Sequence, residues 1–109
     1  MASGTIKSSA IERFNIGRIS SAQTDFIGYG VYDADKNTVR VYLEARGTAV
    51  SSTNLSAAIA EKYRPKANAS LIGVVNGSPC SCGMSTAGVI YQNLTSSSTS
   101  AFVTGEYSL

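Results

Sequence analysis

The chain has 109 residues, nine Lys and Arg against seven Asp and Glu, 43% hydrophobic residues, and neither Trp nor His. That length suits one domain, the apolar content excludes a disordered chain, and scattered charges summing to +2 leave no basic stripe for nucleic acid, with only Lys62-Tyr63-Arg64-Pro65-Lys66 as a starting point. No run approaches the roughly 20 apolar residues of a membrane span, and Met1-Ala2-Ser3-Gly4 lacks the basic and apolar regions of a signal peptide, so neither nucleic acid nor membrane is an expected partner.

Residues 1–12 show neither helical nor strand period and read as a linker or first edge segment ahead of a domain over 13–109. Alternation begins at Phe14-Asn15-Ile16-Gly17-Arg18-Ile19. Next comes the bulky run Phe26-Ile27-Gly28-Tyr29-Gly30-Val31-Tyr32, whose two glycines mark a bulge, bend or close backbone approach. Asp33-Ala34-Asp35-Lys36-Asn37 has turn composition, and Thr38 to Glu44 then carries the clearest period of two, with Val39, Val41 and Leu43 against Arg40, Tyr42 and Glu44. These runs predict a hairpin.

Residues 51–56 read as loop. Asn54 is placed to cap a short helix with Leu55, Ala58, Ile59 and Tyr63 on its apolar side, stopped by Pro65. Ala69 to Val75 reads as a strand, and Asn76-Gly77 is a two-residue hairpin signal whose partner strand starts after Pro79 and sets Cys80 and Cys82 on one face. Gly88-Val89-Ile90-Tyr91 and Ala101 to Tyr107 are further strands, separated by a Ser/Thr loop over 95–100. Short strands at close spacing without βαβ alternation, in a chain with 26 Ser and Thr and ten Gly, predict an all-β fold: an antiparallel, jelly-roll-like barrel or sandwich of seven or eight strands.

Chemistry is restricted by composition. Without histidine the commonest general base and the commonest transition-metal ligand are both missing, so serine or cysteine triads of the usual kind cannot be built. Glycosidases need two facing carboxylates, whereas here Asp33 and Asp35 share one turn and Glu12, Asp25, Glu44, Glu61 and Glu106 stand alone. Cys80-Ser81-Cys82 is half a zinc site with no second pair to complete it, and Asp33-Ala34-Asp35 lacks the Gly and distant Glu of a calcium loop. The expectation is a protein without enzymatic activity, cofactor or metal. Recognition of a carbohydrate remains, because aromatic faces cover the apolar side of a sugar ring while Arg, Asn, Gln and backbone groups hydrogen-bond its hydroxyls. Arg40 and Tyr42 on the outward phase of one strand, with Tyr91, Gln92 and Asn93 at the end of another, supply those groups and are the expected saccharide-binding residues.

Ala60-Glu61-Lys62-Tyr63-Arg64-Pro65-Lys66-Ala67-Asn68 followed by Ala69-Ser70-Leu71-Ile72-Gly73, then Ser85 to Tyr91 and Phe102 to Tyr107, resembles the head domains of bacteriophage receptor-binding proteins at the tail tip or baseplate, similar to those of phages of lactococci and related Gram-positive bacteria. The resemblance covers roughly 57–109 and extends to the first half by strand pattern. It implies a jelly-roll-like head, a homotrimer, placement in the virion beside other phage tail proteins, and binding of a host cell-wall saccharide or teichoic-acid-type polymer. Such heads often surround the sugar with Trp, His and Asp. This chain has no Trp or His, and Ser81 and Gly83 are small, so either the site lies elsewhere or the ligand differs. A trimer is also expected because a domain of ~110 residues buries only about two-thirds of its chain surface and its strands carry more Tyr, Val and Ile than one sheet face hides. The alternative expectation is a structural tail, fibre or capsid-decoration module without ligand.

Overall fold

The computed structural model describes residues 10–47, 54–93 and 99–109. Seven antiparallel strands form one curled sheet, a half-barrel: β1 (Ile11–Asn15), β2 (Asp25–Asp33), β3 (Thr38–Arg46), β4 (Ala69–Val75), β5 (Ser78–Met84), β6 (Ile90–Gln92) and β7 (Ser100–Ser108). Their spatial order is β1-β2-β3-β7-β4-β5-β6, so the last strand in sequence lies at the centre. The all-β antiparallel class expected from the sequence is what forms.

Period two decides which side chains face inward. Along β3, Val39, Val41, Leu43 and Ala45 are buried while Arg40 and Arg46 are exposed. Ala101, Val103 and Tyr107 of β7 and Leu71 and Val75 of β4 continue the same inner layer. Each fully buried Val or Leu contributes about 1.5–3 kcal/mol relative to exposure, so this row across β3, β7 and β4 dominates the core. Both predicted hairpins are present. β2 and β3 pair from Asp25↔Arg46 to Asp33↔Thr38, and the Asp33 carboxylate accepts from the backbone N–H groups of Asp35 and Lys36 to hold the connection. β4 and β5 meet at Asn76-Gly77, whose φ angles of 53° and 82° are the left-handed pair that a two-residue turn matched to strand twist requires.

The largest differences from the sequence reading lie in the first strand and in 55–63. The first strand begins at Ile11 rather than Phe14, because Ile11 pairs with Asp33 and extends the β2 ladder. The chain over 55–63 is not a helix beyond a single 3-10 turn at Glu61–Tyr63. Its N–H groups are committed elsewhere: Leu55 N donates to Ile90 O, Ile59 N to Gly88 O, and Ala57 N to Gly17 O. Those partners lie next to opposite edges of the curled sheet. The segment is therefore an extended strap across the concave side, and tertiary bonding outweighs the weak local helical preference.

Leu55, Ile59 and Tyr63 fill the concavity from the strap. The Tyr63 ring stacks on Phe14 with centroids 3.9 Å apart and 5° between planes, and meets Tyr32 at 5.7 Å. Phe14 reaches this position over Gly30, where any Cβ would overlap its ring. The Tyr63 hydroxyl donates to Glu12 at 2.7 Å, and its backbone carbonyl accepts from the Tyr107 hydroxyl at 2.7 Å. Gln23, almost fully buried, ties the strap to the β1–β2 connection: its Nε2 donates to Leu55 O, and its Oε1 accepts from the N–H groups of Ile19 and Ser20.

Candidate binding face

Since the strap fills the concave side, the convex side of the sheet is left for contact with other molecules. Its residues are the outward phase of each strand: Arg13 on β1, Tyr29 and Val31 on β2, Arg40 and Tyr42 on β3, Phe102, Thr104 and Glu106 on β7, and Ile72 and Val74 on β4. Cross-strand register lines them up, with Tyr29↔Tyr42, Tyr42↔Thr104 and Thr104↔Ile72 directly opposed.

Three zones follow one another on this face. The first is apolar. Ile72 is 75% exposed, Phe102 42% and Val74 41%, and together with Tyr42 they line a groove of about 130 Å³. Isolated exposed apolar residues are ordinary, but a contiguous strip marks a contact surface.

The second zone is a ladder of rings. The Arg13 guanidinium sits over the Tyr29 ring, 4.1 Å from its centroid, and Tyr29 stacks on Tyr42 with centroids 5.4 Å apart. The Tyr42 hydroxyl donates to Glu44 at 3.1 Å. Desolvation on the crowded sheet surface, and next that bond to Glu44, raise the Tyr42 phenol above its ordinary value.

The third zone is a polar hollow of about 200 Å³ lined by Ile11, Val31, Asp33, Lys36, Thr38, Arg40 and Glu106. Ile11 and Val31 are the apolar part of its lining, and Asp33, Lys36, Arg40 and Glu106 the charged part.

The expected saccharide residues divide between two places. Arg40 and Tyr42 are two positions apart on the outward phase of β3 and join the hollow to the ladder and groove. Tyr91, Gln92 and Asn93 lie on or just after β6, with β7, β4 and β5 between them and β3. Four strand spacings amount to roughly 19 Å, so the five residues do not share one site.

Gln92 is 1% exposed and faces inward, out of reach of a ligand on the sheet surface. Tyr91 lies against Gly83, its directly paired neighbour, where a Cβ would overlap the phenol. The small Gly83 is thus a seat for that ring, the aromatic covering of a strand glycine. Asn93 is exposed, and its N–H donates to Ser81 O.

Cys80 and Cys82 share the inner side of β5 and are both free thiols. Burial, and next the neighbouring Cys80, push the Cys82 thiol up to about 12, which suits a packing residue rather than a nucleophile. Among the described residues no three His, Cys, Asp or Glu side chains cluster to hold a metal ion, and no helix is long and apolar enough to cross a membrane.

The residues that sequence reasoning passed over are Arg13, Tyr29, Ile72, Val74 and Phe102. One signal for them was present. In 71–75 and 101–103 both phases of the alternation are apolar, so the outward phase carries surface that the domain's own core does not cover. No protein-family model matches the chain, and no curated protein matches it in sequence.

Proposed function

We propose that this chain is a non-catalytic recognition domain of a phage tail, a homotrimer that binds host cell-surface saccharide through the convex face of its sheet. One observation carries the reading: the Arg13–Tyr29–Tyr42 ladder runs beside a hollow lined by Arg40, Lys36, Asp33 and Glu106 together with the apolar Ile11 and Val31. Tyr29 is covered by Arg13 on one side and Tyr42 on the other, so Tyr42 is the ring left to meet the C–H face of a sugar, beside side chains that hydrogen-bond hydroxyls. The resemblance over 57–109 supports the tail-tip placement. Repetition in a trimer, and of trimers on a virion, makes a shallow site sufficient, since linked sites raise avidity without new contacts. In this reading the Ile72–Val74–Phe102 groove lies against a neighbouring subunit.

Binding of the whole chain to purified host cell walls tests the proposal. Arg40→Ala and Tyr42→Ala are each expected to weaken binding about tenfold, the order of one charged hydrogen bond or one stacked ring. Wall binding that both variants leave unchanged would remove the site from this face. The same exposed groove favours a second reading, a structural tail or decoration module in which the face serves only assembly. Normal assembly with no wall binding by the unmodified chain would favour that reading over recognition.

A further inference from the structure

We propose that the hollow around Arg40 takes a single neutral sugar ring and discriminates against polyanionic wall polymers. The inference rests on the recognition reading above and narrows it to one ligand class.

Charge balance comes first. Lys36 and Arg40 share the lining with Asp33 and Glu106, two charges of each sign. A phosphate-rich chain laid here gains from two cations and is repelled by two carboxylates, so the hollow offers a polyanion little net attraction. A hydroxyl group, by contrast, both donates and accepts. Ring hydroxyls can accept from Arg40 and Lys36 and donate to Asp33 and Glu106, using every charged group in its own sense.

These groups are also not spent on each other. Arg40 stands directly opposite Glu106 in the β3–β7 register, an arrangement in which opposite charges commonly pair. Yet the ion pairs among the described residues are Arg46 with Glu44 and Lys62 with Glu12. Arg40 and Glu106 therefore retain free donors and acceptors toward the hollow. Asp33 is held by the turn, one oxygen accepting from Asp35 and Lys36, which fixes the carboxylate without a cation.

Size and apolar lining point the same way. About 200 Å³ lies below the roughly 300–1,000 Å³ of pockets for drug-sized ligands, and Ile11 and Val31 in the lining suit the apolar face of one ring.

Titration calorimetry of the full chain with neutral hexose and N-acetylhexosamine oligomers, and separately with poly(glycerol phosphate), at about 50 and 500 mM salt, tests this. The expected result is binding of a neutral oligomer with an affinity that changes less than about twofold with salt, since no net charge is neutralised. Arg40→Ala and Glu106→Gln should each weaken it about tenfold or more. Glu106→Gln is decisive in sign, because removing that negative charge weakens a neutral ligand and tightens a polyanion. Binding of poly(glycerol phosphate) alone, lost at high salt and improved by Glu106→Gln, would overturn the inference and leave the recognition reading standing. Neutral binding indifferent to both substitutions would also overturn it, by moving the sugar off the hollow. Binding of neither ligand class overturns the inference and counts against saccharide recognition itself.

Discussion

Tyr63 fastens one end of the strap through its side chain, and Tyr63→Ala removes the contacts with Phe14, Tyr32 and Glu12 at once. The ring is 7% exposed, lies parallel to Phe14 at 3.9 Å and tilts against Tyr32. Truncating a buried aromatic costs about 3–5 kcal/mol, and each ring pair adds about 0.5–1.5 kcal/mol beyond the area it buries. Part of the second figure is already contained in the first, so the expected loss is on the order of 4–5 kcal/mol. Against a total stability of about 5–15 kcal/mol, that is a large share. At roughly 4–6 °C per kcal/mol for a domain of this size, the melting temperature should fall by about 15–30 °C.

The hydroxyl contributes far less. It bonds Glu12 on the wet rim, where Lys62 also pairs with that carboxylate at 3.0 Å, so Tyr63→Phe should cost less than about 1 kcal/mol. Urea unfolding followed by far-ultraviolet circular dichroism measures both variants. A Tyr63→Ala loss below about 1 kcal/mol, or a Tyr63→Phe loss equal to it, would refute the account of the strap as held by ring packing.

Other outcomes follow from neighbouring groups. The bonds from Tyr63 and Lys62 hold the Glu12 carboxyl below its ordinary value. Its contribution is therefore present above the unfolded-state value and lost as pH falls through the lower folded-state value; Glu12→Gln should flatten the acid limb of stability against pH in urea melts. Burial raises the Tyr107 phenol above its ordinary value of 10.0, so stability should decline as pH rises past that value. Tyr107→Phe should soften this alkaline decline, while costing about 1–3 kcal/mol at neutral pH by stranding the Tyr63 carbonyl. Of the two thiols, half-buried Cys80 should react with an aromatic disulfide reagent in the native protein, and Cys82 only after denaturation; two equally fast thiols would contradict the burial of Cys82. For assembly, Ile72→Lys places a charge in the apolar groove at a 75%-exposed position where the fold itself loses little. Sedimentation should show a smaller species with an unchanged circular dichroism spectrum.

The strands were readable because the evidence for them is local. Val39, Val41 and Leu43 alternate with Arg40, Tyr42 and Glu44, and Asn76-Gly77 names its own turn, so both hairpins and the outward direction of Arg40 and Tyr42 follow from a few adjacent residues. The strap was not readable in that way. Leu55, Ile59 and Tyr63 recur every four residues, which imitates a helix, and only the distant carbonyls of Ile90, Gly17 and Gly88 reveal an extended chain. The division of the expected site residues between two places was hidden for a related reason. Alternation sorts a strand into two phases without saying which one is wet, so Gln92 passed for a surface group although it faces the core. Nor does alternation disclose strand order, so nothing local showed that β6 stands four spacings from β3, or that Tyr29 comes to rest on Tyr42.

The central position of β7 bears on how the protein folds. β1 to β3 and β4 to β6 are runs of sequential neighbours, each containing a hairpin closed by a short turn, whereas β7 bonds to β3 and β4 and joins the two runs into one sheet. Until it arrives, two half-sheets each show an unpaired inner edge, that of β3 and that of β4, a template for pairing with another chain. Closing such distant pairings is slow because loop entropy is lost before contacts repay it. Completion of the sheet by β7 is thus the step that separates folding from aggregation, and variants that weaken Ala101, Val103 or Tyr107 should lower soluble yield more than their equilibrium stability alone would suggest.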